Sequence, residues 1–189
     1  SGQDARKIVS RRGILEGVEE FLVREAVVQD AGHPRGMRPG RVGAGRPLIV
    51  PPVALLALPG SRSRLRAGIG LLRGDMLRLA LMSSENRAAA ALGRAYPGGS
   101  DAFVEAMNRK ALEIGMRRTR FVDPTGLSSE NVSTAEDLVK MVRAAYKYPL
   151  IRESTTTTTL QLETGAGPNL QYRNSNDLVK NPTWDIGLS

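Results

Sequence analysis

The stretch from Leu79 to Arg87, LALMSSENR, joins an apolar helical run directly to Ser84, Glu85 and Asn86, after which an alanine-rich helix begins. A serine and an asparagine two positions apart at a helix junction can direct a hydroxyl and an amide into one cleft. The hydroxyl can pass a proton and the amide can grip a peptide carbonyl. In isolation the same letters also read as a polar helix terminus, since Ser and Asn favour caps and turns. The flanking sequence decides between the two.

Upstream, Leu72, Met76, Leu79 and Ala80 share one helical face, which predicts a buried helix that presents Ser84 at its end. Downstream, Asn86 to Ala95 is strongly helix-forming and Tyr96-Pro97-Gly98-Gly99 stops it. A third helix is expected over Asp101–Ile114, capped by Ser100 or Asp101, with Phe103, Met107, Ala111 and Ile114 buried and Gly115 closing it. Asp123-Pro124-Thr125-Gly126 reads as a tight structural turn. Ser129-Glu130-Asn131 repeats the SEN letters, but Ser133 with Glu136 three residues on reads as a capping box, so the repeat is a loop. The helix it introduces should bury Leu138, Met141, Val142 and Ala145 and be limited by Pro149. Thr155–Glu163 and Asn169–Arg173 read as two antiparallel strands about a turn at Gly165–Pro168, with Trp184–Ser189 as a third. Helices first and strands last is an α+β order.

The strings RGDMLRLALMSSENRAAAALGRAYPGG (Arg73–Gly99) and FVDPTGLSSENVSTAEDL (Phe121–Leu138) resemble the low-molecular-mass penicillin-binding proteins. These are serine D-alanyl-D-alanine carboxypeptidases and endopeptidases of peptidoglycan, and the likeness runs from Ser63 to Ser189, nearest the soluble periplasmic endopeptidase branch. The resemblance implies an incomplete penicillin-binding/β-lactamase-like serine transpeptidase fold, a helical lobe beside an antiparallel sheet. It also implies periplasmic location, peptidoglycan stem peptides as substrate, β-lactams as ligands of the parent protein, and no cofactor.

Such enzymes use S-x-x-K, S-x-N and K-T-G. Ser84 and Asn86 match the second motif, implying Ser84 as a proton relay and Asn86 as both a catalytic-site residue and the ligand of the substrate amide. Asp185–Ser189 resembles the strand that leads into K-T-G, and the chain ends before that motif. No serine is followed three positions later by lysine. Counting between the family-like flanks Ser1–Gln3 and Val27–Gly32 puts Val18 in the place of the nucleophile and Phe21 in that of its base. The chain is therefore expected to be an inactive fragment that does not acylate with penicillin. A non-catalytic peptidoglycan-binding remnant is the alternative, and a serine β-lactamase shares the motif set.

The rest of the composition narrows the classes. The 189 residues allow one domain, with residues 63–189 as the partial peptidase domain and 1–62 as a segment of different character. Within 1–62, Asp4–Ala26 has a marginal amphipathic pattern. His33–Ser61 is rich in Pro, Gly and Arg, with one apolar run, LIVPPVALLAL, broken by Pro51 and Pro52. Either out-of-frame translation of a GC-rich gene or a divergent insertion would give this pattern. A net charge of +8 raises nucleic acid as a partner, but arginines concentrated in Arg35–Arg73 without interleaved aromatics read as a solvated segment, so no nucleic-acid partner is expected. Lone His33 has no second ligand at metal spacing, Glu85 is expected to be exposed, and Lys180 is given no role. The absence of cysteine excludes a disulfide framework, and no apolar run is long enough for a transmembrane segment.

Overall fold

Residues 48–49, 63–66, 68–163, 169–181 and 183–189 are described in a computed structural model of the chain. Strand β1 (Leu48–Ile49) pairs antiparallel with β2 (Gly70–Leu71). Helices α1 (Arg73–Ser83), α2 (Asn86–Arg94), α3 (Gly99–Glu113), α4 (Ala135–Ala145) and α5 (Pro149–Thr156) follow. Strands β3 (Thr159–Leu162) and β4 (Leu170–Arg173) form an antiparallel pair in the register Leu160 to Tyr172 and Leu162 to Leu170. Helices beside antiparallel strands make this the expected α+β arrangement. The Gly165–Pro168 turn, Val18, Phe21 and His33 lie outside the described residues. Among those described, no helix is long and apolar enough to cross a membrane.

Helix α1 is the centre of the core. Met76, Leu77, Leu79, Ala80, Leu81 and Met82 are all buried, so the helix is apolar on nearly every side and is covered by α2, α5 and β4. Leu72, expected on its buried face, is instead the exposed residue preceding the helix. Each fully buried leucine or methionine contributes about 1.5–3 kcal/mol of transfer free energy, which fixes the helix and hence the junction at its end. Helix α2 approaches the 123–126 loop closely at Gly93, where a Cβ would lie 3.0 Å from Pro124 Cγ and 3.2 Å from Phe103 Cδ1.

Local details depart from the sequence reading. Helix α3 begins two residues earlier than expected, behind Gly98 with φ +90°, so neither Ser100 nor Asp101 caps it. A left-handed turn needs the glycine, and Asp101 then falls in the first turn, where it complements the helix dipole. Phe103, Met107 and Ala111 are buried as expected, whereas Ile114 is half-buried at the helix end, before Gly115 at φ +83°. On α4 the cap is Thr134, whose hydroxyl accepts the Asp137 N–H at 3.3 Å; Ser133 is engaged by Thr119 at 2.8 Å instead. Met141 and Ala145 are buried, Leu138 is half-buried and Val142 is exposed, because this outer helix meets the core along a narrow edge.

Pro149 does more than limit α4: it opens α5, where a missing N–H costs nothing. Residues Thr155 and Thr156, read as strand, are its last turn. The hydroxyls of Ser154, Thr155, Thr156 and Thr157 donate back to carbonyls of Leu150, Arg152, Arg152 and Glu153. Trp184–Ser189 is not a strand. It finds no ladder partner among the described residues, and Gly187 runs so close over Tyr146 that a Cβ would lie 2.9 Å from its ring.

Asp137 anchors α4 to the preceding loop. Its carboxylate, 2% exposed, accepts from the Arg118 N–H at 2.8 Å, the Thr119 hydroxyl at 2.9 Å and the Lys140 ammonium at 2.7 Å. Burial alone would raise this carboxyl, but the Lys140, Arg118 and Thr119 bonds together hold it below the ordinary value. A depressed carboxyl contributes stability that is present above its unfolded value, about 3.9, and is lost as pH falls through the folded one. Acid titration of unfolding should therefore show this component in the parent chain and not in Asp137→Asn. A parallel fall in both proteins would sink the assignment.

Candidate functional site

The junction between α1 and α2 is built on a strained residue. Ser84 has φ 50° and ψ 46°, and it is the one non-glycine among the described residues with positive φ. Both its N–H and that of Glu85 point to the Leu79 carbonyl, so the helix ends in a left-handed closure usually given to glycine. Placing serine there costs about 1–2 kcal/mol, and the surrounding contacts must hold it. The neighbouring Ser83 hydroxyl donates back to Leu79 O at 2.9 Å, whereas no hydrogen bond to the Ser84 hydroxyl comes from the described residues.

Asn86 opens α2. Its amide Nδ2 donates to the Thr125 carbonyl at 3.0 Å, which fixes the plane of the amide and leaves Oδ1 and the second N–H for a further partner. The Thr125 carbonyl is in turn held by the Asp123 loop. The carboxylate of Asp123 accepts from the N–H groups of Thr125 (3.0 Å), Gly126 (2.7 Å) and Ser128 (2.9 Å), from Thr125 Oγ1 (3.2 Å) and from Asn131 Nδ2 (2.9 Å). Asn131 Oδ1 closes the loop on the Val122 N–H at 2.7 Å, and Arg120 and Val132 bridge its base. The turn and the second SEN are thus loop structure, and their product is one correctly aimed carbonyl. Ser84 closes α1 and Asn86 opens α2, one a hydroxyl able to give and take a proton, the other an oriented amide.

Glu85 is a correction. Expected to be exposed, it is 5% exposed, because as the α2 N-cap its carboxylate turns inward onto the helix start. Oε1 accepts the Arg87 N–H at 3.2 Å and Oε2 accepts the Tyr172 hydroxyl from β4 at 3.2 Å. The Arg64 guanidinium lies 4.2 Å from the centre of the Tyr172 ring, and Arg87 Nη1 donates to Leu65 O at 2.7 Å. Sequence reasoning missed Tyr172 as a neighbour of the junction. The alternation of Leu170 and Tyr172 along β4 marks an inward face, but nothing local says what that face meets. Lys180 is paired with Asp177 on the surface. No group of three or more His, Cys, Asp or Glu side chains able to hold a metal ion occurs among the described residues.

Residues 58–189 match the family described as D-alanyl-D-alanine carboxypeptidase. The D-alanyl-D-alanine endopeptidase of Pseudomonas aeruginosa is 52% identical over 132 residues, 69% of this chain and 42% of its own length. That of Escherichia coli is 52% identical over 134 residues, 70% of this chain and 43% of its own. The chain thus spans less than half the length of these curated relatives. The crystal structure of a Streptomyces DD-transpeptidase superposes with a TM-score of 0.71 at 20% identity, covering 89% of this chain and 67% of the other, a likeness of fold.

Proposed function

Because this chain belongs to the D-alanyl-D-alanine carboxypeptidase family, we propose that Ser84 and Asn86 are the S-x-N pair of a periplasmic serine peptidase acting on peptidoglycan stem peptides. Ser84 relays a proton towards the leaving amine, and Asn86 binds the substrate amide. The attacking serine and its lysine base belong to S-x-x-K, and no serine of these 189 residues is followed three positions later by lysine. The chain corresponds to a partial peptidase domain over 63–189, with 1–62 as a separate segment, and is inactive in acyl transfer. An intact enzyme of this kind forms an acyl-enzyme with stem peptides and with β-lactams, its oxyanion held by backbone N–H groups.

The observation that carries this reading is the left-handed Ser84 set two residues before an asparagine whose amide is oriented by Thr125. It predicts that a tripeptide ending in D-Ala-D-Ala, titrated into isotope-labelled chain, shifts the Asn86 side-chain amide and the Ser84 backbone resonance. The Ser84 shift should vanish in Asn86→Ala, and in the parent chain both shifts should be several-fold weaker with L-Ala-L-Ala, a difference of about 1 kcal/mol or more in binding. Equal response to both peptides would sink the assignment.

A second reading, a non-catalytic peptidoglycan-binding remnant, is favoured by one specific fact, the missing Ser-x-x-Lys. Under it the chain sediments with purified sacculi equally well whether or not Ser84 is replaced by alanine.

A further inference from the structure

The residue between the proposed relay serine and the amide ligand is not a spacer. The geometry points to Glu85 and Tyr172 as positioning residues: the hydrogen bond between them ties the α1–α2 turn to strand β4 and so holds Ser84 in its left-handed conformation. This rests on the reading of Ser84 and Asn86 as the S-x-N pair, and adds to it what keeps that pair in place.

Three attachments surround the strained serine. Before it, the Met82 carbonyl accepts the Ser175 N–H at 2.9 Å, from the turn that follows β4. Beyond it, Asn86 is fixed to Thr125. Between these, Glu85 is the residue whose backbone completes the left-handed closure, through its N–H to Leu79 O at 3.3 Å, and whose side chain leaves the turn altogether. A carboxylate this buried is costly unless each oxygen finds a donor, and here one oxygen takes the start of α2 while the other takes Tyr172. Rotating Ser84 towards an ordinary φ would swing Glu85 off Tyr172 and strand the charge. The penalty for breaking the tether therefore opposes relaxation of the serine.

Tyr172 is suited to this task. Its ring is buried in the core on the inward face of β4, which gives the hydroxyl a fixed origin. Burial, then the charge of Glu85 and the bond to it, push the phenol far above its usual value, against the pull of Arg64 and Arg87. The hydroxyl stays a donor across the physiological range. Asn174 continues the anchorage, with Nδ2 on the carbonyls of Thr155 (2.6 Å) and Thr157 (2.8 Å), so the strand end cannot follow a drifting turn.

The test needs no ligand, so it separates failure of this inference from failure of the functional reading. Amide hydrogen exchange is measured in the full chain and in Glu85→Ala, Tyr172→Phe and Glu85→Gln. Loss of one buried hydrogen bond should lower protection of the Ser84 and Glu85 amides by about tenfold in the first two, while Phe103 to Met107 in α3 change by less than about twofold. Glu85→Gln keeps a carbonyl oxygen for the Arg87 N–H and turns its amide N–H to the Tyr172 oxygen, so it should restore protection towards that of the parent chain. Tyr172→Phe removes a single oxygen and guards against a variant that merely unfolds. Unchanged protection at Ser84 and Glu85, or an equal fall throughout α3, would overturn the proposal.

Discussion

Incubated with a fluorescent penicillin and then denatured, this chain is expected to carry no covalent label. Acylation requires an activated hydroxyl beside a base, and no serine in the chain is followed three positions later by lysine. Ser84 does not substitute. It sits at the end of a buried helix with an amide neighbour in Asn86 and a buried carboxylate in Glu85, whose oxygens are engaged by Arg87 and Tyr172 and so are poorly placed to take its proton. Removal of a nucleophile costs about a millionfold in a serine hydrolase, so labelling should fall below detection under conditions that saturate an intact family enzyme. The measurement is a denaturing gel read by fluorescence, with mass spectrometry of the intact chain. A stoichiometric adduct that survives denaturation would show that another side chain serves as nucleophile, and mapping it would identify the residue.

Replacing Asp123 by alanine should be the most damaging single change to the site that leaves both Ser84 and Asn86 in place. Its two carboxylate oxygens receive five hydrogen bonds from Thr125, Gly126, Ser128 and Asn131, so the loop has one acceptor as its centre. Hydrogen bonds to a charged group contribute about 1.5–3 kcal/mol each but do not add when they share an acceptor. A loss of about 3 kcal/mol in unfolding free energy is expected, read from the urea midpoint. The Thr125 carbonyl should then no longer fix the Asn86 amide, whose two side-chain protons would broaden or converge in the NMR spectrum. Asp123→Asn retains part of the acceptor and should fall between the two. A midpoint within error of the parent chain would mean that Pro124 and Gly126 set the loop without the carboxylate.

The departures from the sequence reading share one cause. Thr134 and Ser133 are equally good caps by composition, and the choice was made by Thr119, which takes the Ser133 hydroxyl. Thr155 and Thr156 have strand propensity, yet Pro149 starts a helix that carries them as its last turn, their hydroxyls satisfied on Arg152. Trp184–Ser189 has the look of a strand but no described partner to complete it, and strand pairing is never a property of one segment.

By itself the sequence determined what depends on neighbours along the chain: the buried α1, the alanine-rich α2, the stripe of Phe103, Met107 and Ala111, the Asp123 turn and the position of Ser84 and Asn86 between two helices. Helical periodicity and turn chemistry act over three or four residues, so they are written locally. Tertiary structure alone decided that Glu85 is buried, that Asn86 meets a carbonyl 39 residues away, and that a tyrosine 87 residues away reaches the junction. A carboxylate looks the same in sequence whether water or a phenol satisfies it. Only packing α1 against β4 removes the water and makes Tyr172 its partner.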